Sequence, residues 1–349
     1  MKGEGFSLKQ NIGAMLFDLP RLFYSLRATS ANAWIFMCNR NERLLPDARR
    51  IGVRCDWQWT SDLHVAKVFP WTGRRLMQRA LADYPIALTA TSEYAVANPG
   101  ITFIVGHRGM GRLPHLLLTL SAIAGQKDAS IECIVVEQSV APEIKDHLPA
   151  WVRYIHTPIS DSTMAYNRSW AFNVGARLAR GSVLVLHDND MLVPAAYAAE
   201  ILARVNEGNE VVNLKRFIFF LTERHTQNLF ASEWDLFVQP PEKVMQNAEG
   251  GGSIAITRDA YFAIGGFDEE FVGWGGEDNE FWERAQSCRV WPYVYLPIIH
   301  LWHAPQPGKS GGTRSTAFLY EKRSAIPVAD RITKLLSRPF GQPVLSQGS

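Results

Sequence analysis

Glycines crowd the stretch from 249 to 285, and Gly275 and Gly276 stand directly before two carboxylates, Glu277 and Asp278. Paired glycines weaken regular structure and mark backbone that turns sharply or lets a ligand come close. Glu280, Phe281, Trp282 and Ala285 follow at helical spacing, which puts the acidic pair at a helix N-terminus, where negative charge is favoured. That placement is expected to keep Asp278 ionised, as a general base must be. Upstream, Asp188-Asn189-Asp190 closes an apolar run, and oxygen donors at such a point suit a hard divalent cation held against phosphates. The plain alternative is a solvated turn, since Asp and Asn are ordinary turn residues. Far downstream, His300 and His303 are spaced to face one ion, or to form a packed polar edge. Each signal alone is weak; three in one chain, each at a strand end or a glycine turn, point to one site.

Bringing these residues together requires a sheet. After Asn98-Pro99-Gly100, apolar runs alternate with helical patterns, as in a mainly parallel sheet covered by helices, an α/β arrangement. Strands are predicted at 101–105, 131–136, 183–186 and 293–297, and helices at 113–124 and 167–178. Ligands of such sheets bind beyond the carboxyl ends of the strands. The residues there are Gly106 to Gly109, Glu137 with Gln138, and His187 to Asp190. Before residue 98 the signals thin out to helices at 12–26 and 74–82 and an apolar run at 33–38. The chain therefore divides into an N-terminal region of unknown role (1–98), a catalytic domain (99–307) and a tail (308–349). Gly, Ser, Thr and basic residues in that tail predict partial mobility.

Bulk composition narrows the class. The 349 residues are 47% hydrophobic and carry a formal charge of +2, so a sizeable core is available and nothing calls for nucleic acid. Cys38, Cys55, Cys133 and Cys288 lie far apart, which predicts free buried thiols and a reducing compartment. No apolar run reaches the ~20 residues of a membrane span, and the N-terminus is too interrupted by polar residues for a secretory signal. The expected location is cytoplasmic. Leu16, Leu19, Phe23 and Leu26 beside Lys9, Arg21 and Arg27 leave open a peripheral contact with an inner membrane face, against simple packing on the chain's own domain.

The segment from 249 to 285 closely resembles the glycine-rich GWGGED region of the β-1,4-galactosyltransferases, and more loosely the WGGEN region of the polypeptide N-acetylgalactosaminyltransferases. The resemblance continues upstream in order. Gly106-His107-Arg108 with Pro114-His115-Leu116 is similar to that family's Pro-Phe-Arg…His-Leu opening, with the first two residues changed. Tyr166-Asn167-Arg168 through Asn173-Val174-Gly175 is similar to its Phe-Asn-Arg…Asn-Val-Gly stretch, Asp188-Asn189-Asp190 to its Asp-Val-Asp, and His300-x-x-His303 to its Met-x-x-His. Residues 101 to 307 are covered.

The resemblance implies a GT-A, Rossmann-like fold that binds a UDP-sugar donor and Mn²⁺, with Mg²⁺ as the alternative ion. It makes Asp190, His300 and His303 the metal ligands, with an imidazole at 300 replacing a thioether. Asp188 would touch the donor's ribose or diphosphate, and Arg108 and Glu137 would lie near the nucleotide. For Glu137 an exposed strand-end charge is the equal alternative. Arg168, Gly252 and Gly276 join the substrate contacts. Glu277 would hydrogen-bond sugar hydroxyls and Trp274 would offer an apolar face to a sugar ring, unless it is an ordinary core aromatic. Asp278 becomes the base that deprotonates the acceptor hydroxyl, and an Asp where retaining relatives carry Asn favours inversion. The function so implied is transfer of a hexose or N-acetylhexosamine to a glycan or lipid-linked saccharide in bacterial polysaccharide or glycoconjugate synthesis. A retaining hexosaminyltransferase and a non-catalytic carbohydrate-binding relative are the alternatives.

Overall fold

The computed structural model describes residues 8–27, 32–46, 51–93, 96–231, 234–304 and 316–343. Seven strands form the main sheet, in the order Val290–Trp291, Val211–Val212, Ser253–Thr257, Val183–His187, Ile101–His107, Ile131–Ser139 and Arg153–Pro158. The last four run parallel, whereas Ser253–Thr257 enters antiparallel to Val183–His187. The fold is thus α/β with a mixed sheet and a parallel heart. Its central strands read as unbroken apolar runs because both faces are covered. Phe103, Val105, Val135 and Val185 face one core cluster, and Ile104, Ile134, Val136 and Leu186 the other. Removing each such side chain from water contributes roughly 1.5–3 kcal/mol.

Helix Leu113–Ala124 covers the first cluster and Arg168–Leu178 the second. The latter starts one residue later than the pattern suggested, because Asn167 is its N-cap and accepts from the Trp170 amide at 2.9 Å. Gly175 lets this helix lie close on the sheet: a Cβ there would stand 2.2 Å from Ile104 Cγ2.

A second sheet orders Ser61–Asp62, Lys243–Gln246, Lys215–Phe220, Leu296–His300 and Met191–Leu192. The strand expected at 293–297 lies at Leu296–His300 instead, so His300 is its last residue. Its register sets His300 opposite Met191, the residue after Asp190, and the Leu301 amide donates to the Asp190 carbonyl at 2.8 Å. Strand pairing therefore brings together two candidate metal ligands that are far apart in sequence.

The N-terminal region does not form a core of its own. Trp34, Met37, Leu63, Val65, Leu76 and Met77 join the same cluster as Phe103 and Val185, and Ser61–Asp62 pairs with Lys243–Gln246. Its described helices are Leu8–Gly13 and Leu19–Arg27, joined by a π-turn at Ala14–Asp18, then His64–Val68 and Pro70–Asp83. The run at 33–38 is a 3-10 turn, Ala33–Phe36.

Residues 316–343 hold two helices, Ala317–Ser324 and Val328–Leu336, which pack on the helix Glu277–Ala285. Arg331 pairs with Glu280 at 3.3 Å and Glu283 at 2.7 Å, and Arg323 with Asp268 at 2.8 Å. Among the described residues no helix is long and apolar enough to cross a membrane. All four cysteines are unpaired; Cys38 and Cys133 are buried, and Cys55 and Cys288 only half-buried.

Candidate active site

A cleft of about 290 Å³ opens at the carboxyl ends of Ile101–His107 and Val183–His187. Its lining includes Arg108, Arg168, Asp188, Asp190, Trp274, Glu277, Asp278, His300 and His303. Nine of the twelve residues singled out in the sequence thus meet in one place.

The turn at 188–190 is held from below by a hydrogen-bond chain. Tyr197 and Ser253 hydroxyls, the His187 ring and the Met191 carbonyl connect at 2.8, 2.8 and 3.1 Å. Burial pushes His187 down to about 4, so the ring is neutral and can accept at Nδ1 while Nε2 donates. His107 is likewise pushed down to about 4 by burial. It accepts at Nδ1 from Asn189 and donates from Nε2 to the Gly109 carbonyl, both at 3.0 Å. These neutral rings fix the Asp-Asn-Asp turn without adding charge.

Asp190 faces His303 Nε2 at 3.4 Å and His300 Nε2 at 3.9 Å, and one ligand atom from each of the three lies within 4.8 Å of the others. His303 donates from Nδ1 to the Ala304 carbonyl at 2.8 Å, which leaves the Nε2 lone pair toward Asp190. His300 stacks on Phe220 at 4.3 Å, and its buried Nδ1 has no partner. His115 and Thr226 hold the intervening loop through the Trp302 carbonyl and amide, at 2.8 and 2.9 Å. This one-carboxylate, two-imidazole set fits a divalent cation such as Mn²⁺. Burial opposes ionisation of Asp190, but His300, Arg112 and His303 outweigh it and bring the carboxyl to about 2. Burial also lowers His300, and Arg112 donates to Asp190 at 2.5 Å.

Across the cleft, Arg168 joins the two acidic groups. Its Nε donates to Asp188 Oδ1 at 2.7 Å, its Nη1 donates to Asp278 Oδ1, and Glu277 Oε1 lies 3.8 Å away. The guanidinium rests on the Phe172 ring, 4.5 Å from its centroid. Glu277 bends back to accept from the Gly275 amide at 2.9 Å. The helix N-terminus is expected to help keep Asp278 ionised, and burial works against that. Burial pushes its carboxyl up to about 7 despite Arg168, with Glu277 and Asp188 adding to the rise. A Cβ on Gly250 would stand 2.7 Å from the Asp278 carbonyl oxygen, so that glycine run closes directly over Asp278.

Three expected site residues lie outside the cleft lining. Glu137 is fully buried, neither beside the cleft nor an exposed charge. Its carboxylate accepts from Ser139 Oγ (2.8 Å), the Glu143 amide (3.0 Å) and the Tyr154 hydroxyl (2.5 Å), stapling the loop after its strand. Gly252 has φ +84 and a carbonyl that accepts from the Asp188 amide at 2.8 Å, so it sets the turn through its backbone. Gly276 has φ +94 and is the N-cap of Glu277–Ala285. Arg108 lines the cleft but spends its donors on Gln138 and on the Met164 carbonyl. Sequence reasoning overlooked Arg112, whose one signal is its place four residues after Arg108 at the start of a helix.

A family model described as the N-terminal domain of galactosyltransferase matches residues 239–294, the stretch containing the glycine turn and Asp278. Chondroitin synthase of Escherichia coli is 24% identical over 305 residues, covering 74% of this chain and 42% of that protein. A probable N-acetylgalactosaminyltransferase 9 of Caenorhabditis elegans is 24% identical over 202 residues, covering 55% and 28%. The chain thus spans less than half the length of these relatives. A solved structure of GalNAc-T7 with UDP, GalNAc and Mn²⁺ aligns over 67% of this chain and 50% of its own, at 14% identity and TM-score 0.47. By the family match over residues 239–294 and by these two relatives the chain is similar to glycosyltransferases, and its mixed α/β sheet with a cleft at the strand ends fits that likeness.

Proposed function

We propose that the chain is a divalent-metal-dependent, inverting glycosyltransferase that moves galactose or N-acetylgalactosamine from its UDP conjugate to a hydroxyl of a glycan acceptor, in bacterial polysaccharide or glycoconjugate synthesis. The observation that carries this reading is one cleft with a carboxylate–imidazole cluster on one side, a carboxylate near neutral pKa on the other, and Arg168 between them. The two sugars are favoured because the matching family model is a galactosyltransferase one and a curated relative is named for N-acetylgalactosamine transfer.

Asp190, His300 and His303 would hold the ion; when bound, it stabilises the charge that gathers on the departing UDP. Arg168 holds Asp188 and Asp278 in a fixed relation. Trp274 offers its ring to the apolar face of a sugar, and Glu277, anchored by the Gly275 amide, presents its second oxygen to a sugar hydroxyl. Asp278 takes the acceptor's proton as that oxygen attacks the anomeric carbon, and a single displacement inverts the centre. UDP release should be followed with a panel of UDP-sugars, Mn²⁺ and saccharide acceptors, with NMR of the product's anomeric configuration. Turnover with one of the two named donors and an inverted product is expected. No turnover with any UDP-sugar would overturn the enzyme reading, and a retained configuration would overturn the role of Asp278.

A further inference from the structure

The N-terminal helices carry large apolar side chains on their outer face as well as on their inner one. Along residues 11–27 Leu22 is buried and Leu19 and Leu26 pack on the core beside it, with Gly13, Ala14, Asp18 and Ser25 the other buried positions. Facing outward are Leu16 (56% exposed), Phe17 (58%), Phe23 (42%) and Tyr24 (80%). A helix whose outer face met only water would be polar there. Trp71, 45% exposed at the start of Pro70–Asp83, extends the patch, its ring 6.0 Å from that of Phe23.

Exposed charge on these helices has one sign, and the acid that lines the groove with Arg21 and Tyr24, Glu42, is half-buried and accepts from Ser61 and Gln246. Residues 8–27 contain a single acid, Asp18, which is buried. Residues 64–83 also contain one, Asp83, which accepts from the Asn32 amide and from Trp34 Nε1 and faces Arg79 at 3.6 Å. Neither acid is exposed, whereas Arg21, Arg27 and Arg75 are. Apolar and aromatic side chains rimmed by arginine match the boundary between headgroups and acyl chains of an anionic bilayer.

The geometry points to a docking face for an anionic phospholipid surface. A second copy of the chain is the poorer occupant, because a two-fold contact through this patch would set Arg21 and Arg27 against the same positive rim. Docking here would hold the transferase beside a membrane that carries its acceptor. Binding needs no sugar transfer, so the test stands independently of the proposed activity.

The whole chain should be floated with vesicles of phosphatidylcholine alone and of phosphatidylcholine mixed with phosphatidylglycerol. Recruitment to the anionic vesicles only is expected, lost in Leu16→Glu with Phe17→Glu. Arg21→Gln with Arg27→Gln should weaken partitioning roughly 30-fold, from about 1 kcal/mol per basic residue. Circular dichroism checks folding, and the arginine pair carries the test if the glutamate pair fails to fold. No recruitment, equal flotation with neutral vesicles, or recruitment unchanged by the arginine variants overturns the proposal. So does a dimer in sedimentation velocity that the glutamate variants dissociate, since the face would then be a subunit contact.

Discussion

Asp278 carries the sharpest consequence at the scale of a single residue. A carboxyl pushed up to about 7 by burial is half protonated near neutral pH, and only its ionised form can accept a proton. The sign follows: kcat/KM should rise tenfold per pH unit below about 7 and level off above it, as measured in a pH–rate profile at saturating Mn²⁺. A profile flat through that pH would remove Asp278 as the base. Asp278→Asn should lower kcat by about 10²–10⁴, the usual contribution of a positioned base, while UDP still binds in calorimetry. Near-normal turnover in that variant would move the base elsewhere. Burial of a charge has the opposite consequence at Arg284, which is fully buried. It meets Glu280 through two hydrogen bonds and donates to the Ile264 and Gly266 carbonyls. Arg284→Met should cost about 3–5 kcal/mol in urea unfolding, because it leaves a buried carboxylate with Arg331 alone and strands two carbonyls.

Among the elements, the glycine turn before the helix Glu277–Ala285 decides where both carboxylates point. Gly276 combines φ +94 with a Tyr320 Cβ that would stand 2.7 Å from an added methyl. Gly109 has φ +76 but nothing within 4 Å. Gly276→Ala should therefore cost more than the roughly 1–2 kcal/mol of backbone strain expected for Gly109→Ala. It should also lower kcat, since the turn carries Asp278, the proposed base; urea unfolding beside steady-state kinetics tests both. Equal costs for the two would mean that the tail helix yields without loss. The parallel strands were legible in the sequence because burial on both faces leaves unbroken apolar runs. Ser253–Thr257 was not, since five residues behind three glycines read as part of the turn. The strand ending at His300 was placed three residues early because Pro297 cannot donate to a ladder. It stands where the pairing with Lys215–Phe220 slips in register. Asp190, His300, His303 and Asp278 could be picked out by type and order. Arg112 beside Asp190, and Arg168 between Asp188 and Asp278, are tertiary pairings with no local signature.

For the molecule as a whole, the described part of the tail is a brace, and its arginines are partners of Asp268, Glu280 and Glu283. Thr316 also donates to the Gly275 carbonyl, so the C-terminal helices brace the same turn that carries Asp278. The other side of the cleft rests on the second sheet, whose register sets His300 against the strand after Asp190. A UDP-sugar with Mn²⁺ would fill the space between these two supports, and a ligand that binds only the folded chain stabilises it by mass action. At a concentration 100 times Kd the gain is about 2.7 kcal/mol. The melting temperature should rise by several degrees when UDP and Mn²⁺ are present together, and by less with either alone. In His303→Ala the joint rise should shrink toward that of UDP alone, because the ion would lose an imidazole while the nucleotide's other contacts stay. Scanning calorimetry across a Mn²⁺ titration distinguishes the cases, and a joint rise unchanged in the variant would take His303 out of the ligand set.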